Sequence, residues 1–304
     1  MNKILALLSL AVVFGLFATS CLDEKENRQE ITLNYSGELC FNRVFDRETG
    51  NTLITLNPSY EFTYDLIGQT VNITMSGIQL AEGFGGLSFK LPKLSYKITD
   101  KSPFYITEGT DIVPMNVGQG YVFNKFRLQA LPGRYIDNVN CPVYLMEFTV
   151  NDRYEVTVFP TNPILVGSST ALRTDDSSQS RYTKENCIVS ISIEPQKMTA
   201  KITALKSEFS AGMPETSLAF ADVPVEIFAT GMRFHTEPGT EHKVLNTNNS
   251  QMNTCTYTDL DFAYSLNGTS TASYSIDLTS KSDSYHTFGI YDVSMQLGYL
   301  FTVK

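Results

Sequence analysis

The chain offers few side chains for chemistry: among its 304 residues are three histidines, five cysteines and no tryptophan. Two histidines cluster in His235-Thr-Glu-Pro-Gly-Thr-Glu-His242, with Glu237 and Glu241 beside them. Glu237-Pro-Gly-Thr240 has the pattern of a type II turn, with proline second and glycine third. The histidines then flank a hairpin loop that offers a metal two imidazoles and no third, so the reading is a polar exposed turn and no metal site. His286, in Ser284-Tyr-His-Thr-Phe288, reads as a surface residue at a strand end. Asp175-Asp176 and the Asp259/Asp261 pair are the arrangements closest to glycosidase carboxylates. The first lies in the polar stretch Thr174–Lys184, and neither pair has aromatic walls. No Gly-x-Ser-x-Gly elbow, phosphate-cradling Gly-Lys-Ser/Thr loop or His-Glu-x-x-His helix occurs. Gly83-Phe-Gly-Gly86 joins strand to strand and opens no helix. The expectation is a protein that is not an enzyme and carries no cofactor.

The N-terminus is an address. Lys3 supplies a positive start, Ile4 to Ala18 is almost unbroken in its apolarity, and the run breaks into Ala18-Thr-Ser-Cys21. This is the layout of a secretory signal peptide, too short to span a bilayer comfortably. A cysteine after small residues at the cleavage point resembles the lipobox of bacterial lipoproteins. That resemblance implies lipidation of Cys21 and a chain hung from a membrane by two or three acyl chains, enough for stable anchoring. An ordinary signal peptide with a chance cysteine is the alternative. The stretch Leu22-Asp-Glu-Lys-Glu-Asn-Arg-Gln-Glu30 has the composition of a solvated tether. It resembles the acidic segment that exports Bacteroidetes lipoproteins to the outer leaflet. The implied location is the outer membrane, surface-exposed in preference to periplasm-facing.

Without Cys21, the cysteines are Cys40, Cys141, Cys187 and Cys255, an even number in an exported chain. Pairing within units would give Cys40–Cys141 and Cys187–Cys255; the rival is four separately buried small side chains. The absence of Cys-x-x-Cys excludes a zinc ribbon or redox motif as a local signal. A net charge of −9 gives no electrostatic footprint for nucleic acid.

The elements that must position these residues are strands. From Ile31 onward apolar and polar residues alternate, as in Val71-Asn-Ile-Thr-Met75, Leu87–Leu91, Leu94–Ile98, Met146–Val150 and Tyr154–Val158. No amphipathic helix of about twelve residues appears, and Gly, Pro, Asn and Asp punctuate the chain as an antiparallel meander requires. The pattern is written twice. Ile31-Thr-Leu returns as Ile164-Leu-Val, and Val71–Met75 as Ala200-Lys-Ile-Thr-Ala204. Leu87, Phe89, Leu94 and Tyr96 return as Leu218, Phe220, Val225 and Ile227. Met146, Phe148 and Val150 return as Tyr274, Ile276 and Leu278, and Tyr154 as Tyr291. The organisation is therefore a signal peptide (1–20), a tether (21–30) and two β units (31–161 and 162–304) meeting near Pro160–Pro163. Ile73, Phe89, Tyr96, Phe148 and Val156 should be buried in the first unit. Ile202, Phe220, Ile227, Ile276 and Val293 should be buried in the second, while Asn72, Lys90 and Lys201 point outward.

Each unit suits a small antiparallel barrel or a β-sandwich. Tyr35-Ser-Gly-Glu-Leu39, with the later Gly85-Gly86 and Met213-Pro214 turns, resembles the opening and turns of calycin-like β-barrel lipoproteins of Bacteroidetes. The resemblance implies fold and location, since that family has no common activity. The reading is a lipid-anchored, non-enzymatic binding module for a small-molecule, glycan or protein ligand. Bulky inward residues favour packed interiors and recognition at loops or outer surfaces. Glycan stacking would rest on Tyr121, Tyr135 and Tyr144. The alternative is a fimbrial or adhesin-type subunit assembled by strand exchange, with Arg43 and Arg47 as cleavage points that free the first strand.

Overall fold

A computed structural model describes residues 30–98, 105–117, 120–131, 135–136, 139–140, 143–213, 215–246, 255–266, 268–278 and 289–298. Cys21, the tether up to residue 29, Cys141 and His286 lie outside the described residues. The protein is all-β: among the described residues the one helical element is a short 3-10 turn, Gly37–Leu39.

The first unit contains β1 (Glu30–Ser36), β2 (Cys40–Asp46), β3 (Thr52–Leu56), β4 (Ser59–Asp65), β5 (Thr70–Ile78), β6 (Leu87–Lys90) and β7 (Leu94–Ile98). It continues with β8 (Tyr105–Gly109), β9 (Phe123–Leu131), the separate pair β10 (Tyr135–Ile136) and β11 (Val139–Asn140), then β12 (Val143–Val150) and β13 (Tyr154–Pro160). The main sheet curls in the order β1-β4-β5-β7-β8-β9-β12-β13-β2-β3, with β6 also on β5. Its ends, β1 and β3, run along the chain into β2 and β4. At the bend the Gly37 N–H donates to Pro58 O at 3.1 Å. Thus β1–β2 and β3–β4 are two bent arms of one hairpin, and this hairpin fastens the curl.

The second unit contains β14 (Ile164–Arg173), β15 (Arg181–Glu194), β16 (Thr199–Ser207), β17 (Thr216–Ile227) and β18 (Gly231–His235). After the short β19 (His242–Lys243) and β20 (Leu245–Asn246) come β21 (Thr256–Ser265), β22 (Ser270–Asp277) and β23 (Ile290–Gly298). Eight of these strands close into an antiparallel barrel, because β14 pairs with both β15 and β23 while β16 pairs with β17. Closure leaves none of these eight as a sheet end.

Local chemistry explains the turns. In Asn151-Asp152 both residues have positive φ (54° and 51°), and Arg153 N–H reaches Val150 O at 3.1 Å. Both lie in the three-residue connection between the paired Val150 and Tyr154, where short Asn and Asp side chains tolerate positive φ. Gly167 lies in the β14–β23 pairing where no side chain fits: a Cβ there would lie 1.9 Å from Gln296 O.

The repeat is visible strand by strand, with β14 in the place of β1–β2, β15 of β3–β4, β16 of β5 and β17 of β6–β7. The first strand corrects the expected alignment of Ile31 with Ile164. Tyr35 faces Tyr60 and Leu165 faces Val189, so the buried Tyr35 and Leu165 are the equivalent pair. The turn Gly37–Leu39 is extra in the first unit and shifts the register by its own length.

Of the expected core residues, all are buried except Ile227, which is partly buried at the end of β17. Lys90 and Lys201 are exposed, and Asn72 is half-buried. The units also share apolar packing. Phe41, Leu145 and Phe159 belong to the first sheet but join the core cluster of the second barrel, with Ile54 and Leu56 packed against it.

Candidate functional site

Both interiors are filled. Phe89 lies 5.2 Å from Phe123 and 5.3 Å from Tyr121, edge to face. Phe220 lies 4.7 Å from Tyr257 and 5.0 Å from Tyr274. Such ring pairs are the preferred geometry of a packed aromatic core. In the first unit Tyr64 sits among Tyr96, Tyr105 and Tyr144, and burial pushes its phenol far above the ordinary range. Tyr144, considered above as a glycan platform, is 4% exposed and stacks on Phe62. Tyr121 is half-buried against Phe89, and the Tyr135 side chain lies outside the description.

The acid pairs do not converge. Asp175 is clamped by Arg173 at 2.9 and 3.2 Å, whereas Asp176 accepts from Ser178 N–H at 2.8 Å. Asp261 is clamped by Arg233 at 2.8 and 2.9 Å, whereas Asp259 accepts from Gly239 N–H at 2.8 Å. Hydrogen bonds from Arg173, Arg233 and Thr258 hold Asp175, Asp261 and Asp259 below the usual carboxylate range. A general acid needs the opposite shift.

The histidine loop forms the expected turn: Thr240 N–H donates to Glu237 O at 3.2 Å and Gly239 has φ of 72°. The two imidazoles part company there. His235 pairs with Glu226 at 3.2 Å, and His242 stacks on Tyr257. Among the described residues no cluster of three His, Cys, Asp or Glu could hold a metal.

Cys187 and Cys255 are unpaired and buried, which corrects the Cys187–Cys255 bridge. Cys187 lies in β15 and Cys255 just precedes β21, strands on opposite walls of the eight-strand ring, while a disulfide needs Cα atoms within about 7 Å. Burial pushes both thiols up to about 11 and Cys40, also unpaired, to about 12.

Charge collects at one rim of the second barrel. Lys184 reaches Glu208 and Glu215, both at 2.9 Å, and the Tyr182 hydroxyl donates to Glu208 at 2.5 Å. These groups satisfy one another. The proposed cleavage points differ: Arg47 is exposed at a hairpin tip against Glu155, while Arg43 is half-buried over the Phe45 ring.

A groove of about 500 Å³ lies on the outer wall of the second barrel across β14, β23, β22 and β21. Ser168, Thr170, Thr271, Ser273, Ser294 and Gln296 present hydroxyls and an amide there. Its one carboxylate, Asp261, is neutralised by Arg233. The groove can make many neutral hydrogen bonds; it holds no activated nucleophile and no base. Strand alternation reveals outward hydroxyls in sequence, but their convergence depends on the order of β14, β23, β22 and β21, which no local pattern encodes. Compared with protein-family models, curated proteins and solved structures, the chain matches none.

Proposed function

We propose that this protein is a non-enzymatic binding module, anchored through a lipid on Cys21 at the outer membrane and exposed to the exterior, that recognises its ligand on an outer surface and not in a lumen. The observation that carries this reading is the filling of both interiors by bulky side chains, since a small barrel holds a ligand only where inward positions stay small. The outer groove of the second barrel is the first candidate surface. Its uncharged hydroxyl and amide lining favours a polar, neutral ligand such as a glycan, held by hydrogen bonds to Thr170, Ser294 and Gln296. The calycin-like resemblance points the same way, toward an exported barrel.

A glycan array and lipid extracts, probed with the purified protein, test the reading. Ser294→Tyr fills the groove from an exposed position and should weaken any such binding at least about tenfold, the equivalent of ~1.4 kcal/mol. Binding that survives Ser294→Tyr but is lost in Phe220→Ala, with stability kept, would place the ligand in the lumen and overturn the proposal.

A further inference from the structure

The two repeats treat one strand edge differently. In the first unit β3 is the last strand of its sheet: β2 lies on one side and, among the described residues, no strand lies on the other. The Asp46 N–H donates to Asn51 O at 2.9 Å, which fixes the alternation of the β2–β3 ladder. Leu53 and Thr55 therefore bond to β2, and Thr52, Ile54 and Leu56 turn their N–H and C=O groups to the open side.

In the second unit the same alternation, set by Arg173 N–H on Ser180 O at 2.9 Å, turns Arg181, Thr183 and Glu185 outward from β15. There the edge is guarded. Arg181 and Glu185 put charges where the first unit has Thr52 and Leu56. Lys184 spans from β15 to Glu208 and Glu215 in the connection between β16 and β17. Charge at such an edge is how sheets resist pairing with another chain. The first unit has Thr52-Leu-Ile-Thr-Leu56, without a charge, a proline or a glycine. Thr55, in the place of Lys184, has a buried hydroxyl without a partner. The other end of the sheet, β1, begins with Glu30 and exposes Thr32 and Asn34.

We infer that the β3 edge pairs with β3 of a second copy of this chain, antiparallel about Ile54, to form a twofold dimer. The segment is its own complement. Ile54 meets its copy, Thr52 meets Leu56, and each of the three outward-turned residues finds a mate with free N–H and C=O groups. No like charges are brought together, and an isologous contact closes after two copies.

Sedimentation velocity of the purified protein over a concentration series, from about 1 to 100 μM, tests this. The expected result is a monomer–dimer equilibrium. Thr52→Pro removes an outward N–H at the first residue of the strand, a position that tolerates proline, and should weaken the dimer at least about tenfold. Thr52→Lys, at an exposed site, should do the same by placing charge on the edge while leaving the melting temperature of the dilute monomer unchanged. A monomer at every concentration overturns the inference. So does a dimer that neither variant weakens.

Discussion

Asp46 sits at the tip of the β2–β3 hairpin, where Arg153 donates to its carboxylate at 2.9 and 2.8 Å and Glu48 N–H adds a third bond at 3.0 Å. These hydrogen bonds, Arg153 first, hold the carboxyl far below its ordinary range. A depressed folded-state pKa adds stability above the unfolded value, roughly pH 4, and that stability is lost as pH falls toward the folded value. Asp46→Asn should therefore destabilise the protein at pH 7, and its gap from the wild type should narrow steadily as the pH falls from about 4 to about 2, measured by urea denaturation across that range. A wild type–variant gap that stays the same from pH 7 down to pH 2 would show that the ion pair is not its source. The core residues follow a different rule. Phe89 and Phe220 are fully buried, each against two aromatic rings of its own unit, and truncating either to Ala should cost about 3–5 kcal/mol in denaturant unfolding. Lys90→Ala, exposed next to Phe89, should change stability by less than about 0.5 kcal/mol.

The strands were legible because alternation is a local signal. Val71-Asn-Ile-Thr-Met, Leu94-Ser-Tyr-Lys-Ile and Tyr154-Glu-Val-Thr-Val are all strands, and the first buries the face that its alternation marks; in the others Ile98 is exposed and Thr157 buried, because neighbouring elements decide what covers each face. The Asn151-Asp152 turn could be read for the same reason, since its residue types match the backbone conformation that it needs. The first strand of the repeat was misread by three residues, because Ile31-Thr-Leu and Ile164-Leu-Val are similar as apolar strings and only the ladder fixes their register. The cysteines misled for a related reason: an even count says nothing about which wall of a barrel each one occupies. Closure is likewise invisible to a local pattern. At the seam, Gly167 leaves no room for a side chain, since a Cβ would lie 1.9 Å from Gln296 O. Gly167→Ala should push the seam apart and cost about 1–3 kcal/mol, the usual range for an overpacked site. Hydrogen exchange would locate the loss: amides of β14 and β23 should lose protection before those of β16 and β17.

At the scale of the whole molecule, the two units are coupled by side chains that point out of the first sheet. Phe41 and Phe159 stack at 5.6 Å and are fully buried, yet their strand neighbours Asn42, Val44 and Val158 face the first unit's interior. They are covered by the second barrel's apolar cluster, which includes Leu165 just past the junction. The Thr157 hydroxyl adds a hydrogen bond to Ala229 O at 3.3 Å. Burial of two such rings contributes several kcal/mol, roughly 1.5–3 for each side chain, comparable with the stability margin of a single domain. The wild type should therefore unfold as one unit. Removing Phe159 leaves each interior intact but takes away the centre of the contact, so Phe159→Ala should split a single calorimetric transition into two. The lower one should belong to the first unit, whose sheet keeps two open ends, and its midpoint should fall further in Phe41→Ala/Phe159→Ala. A single sharp transition in the double variant would mean that the units are held together by something other than these rings.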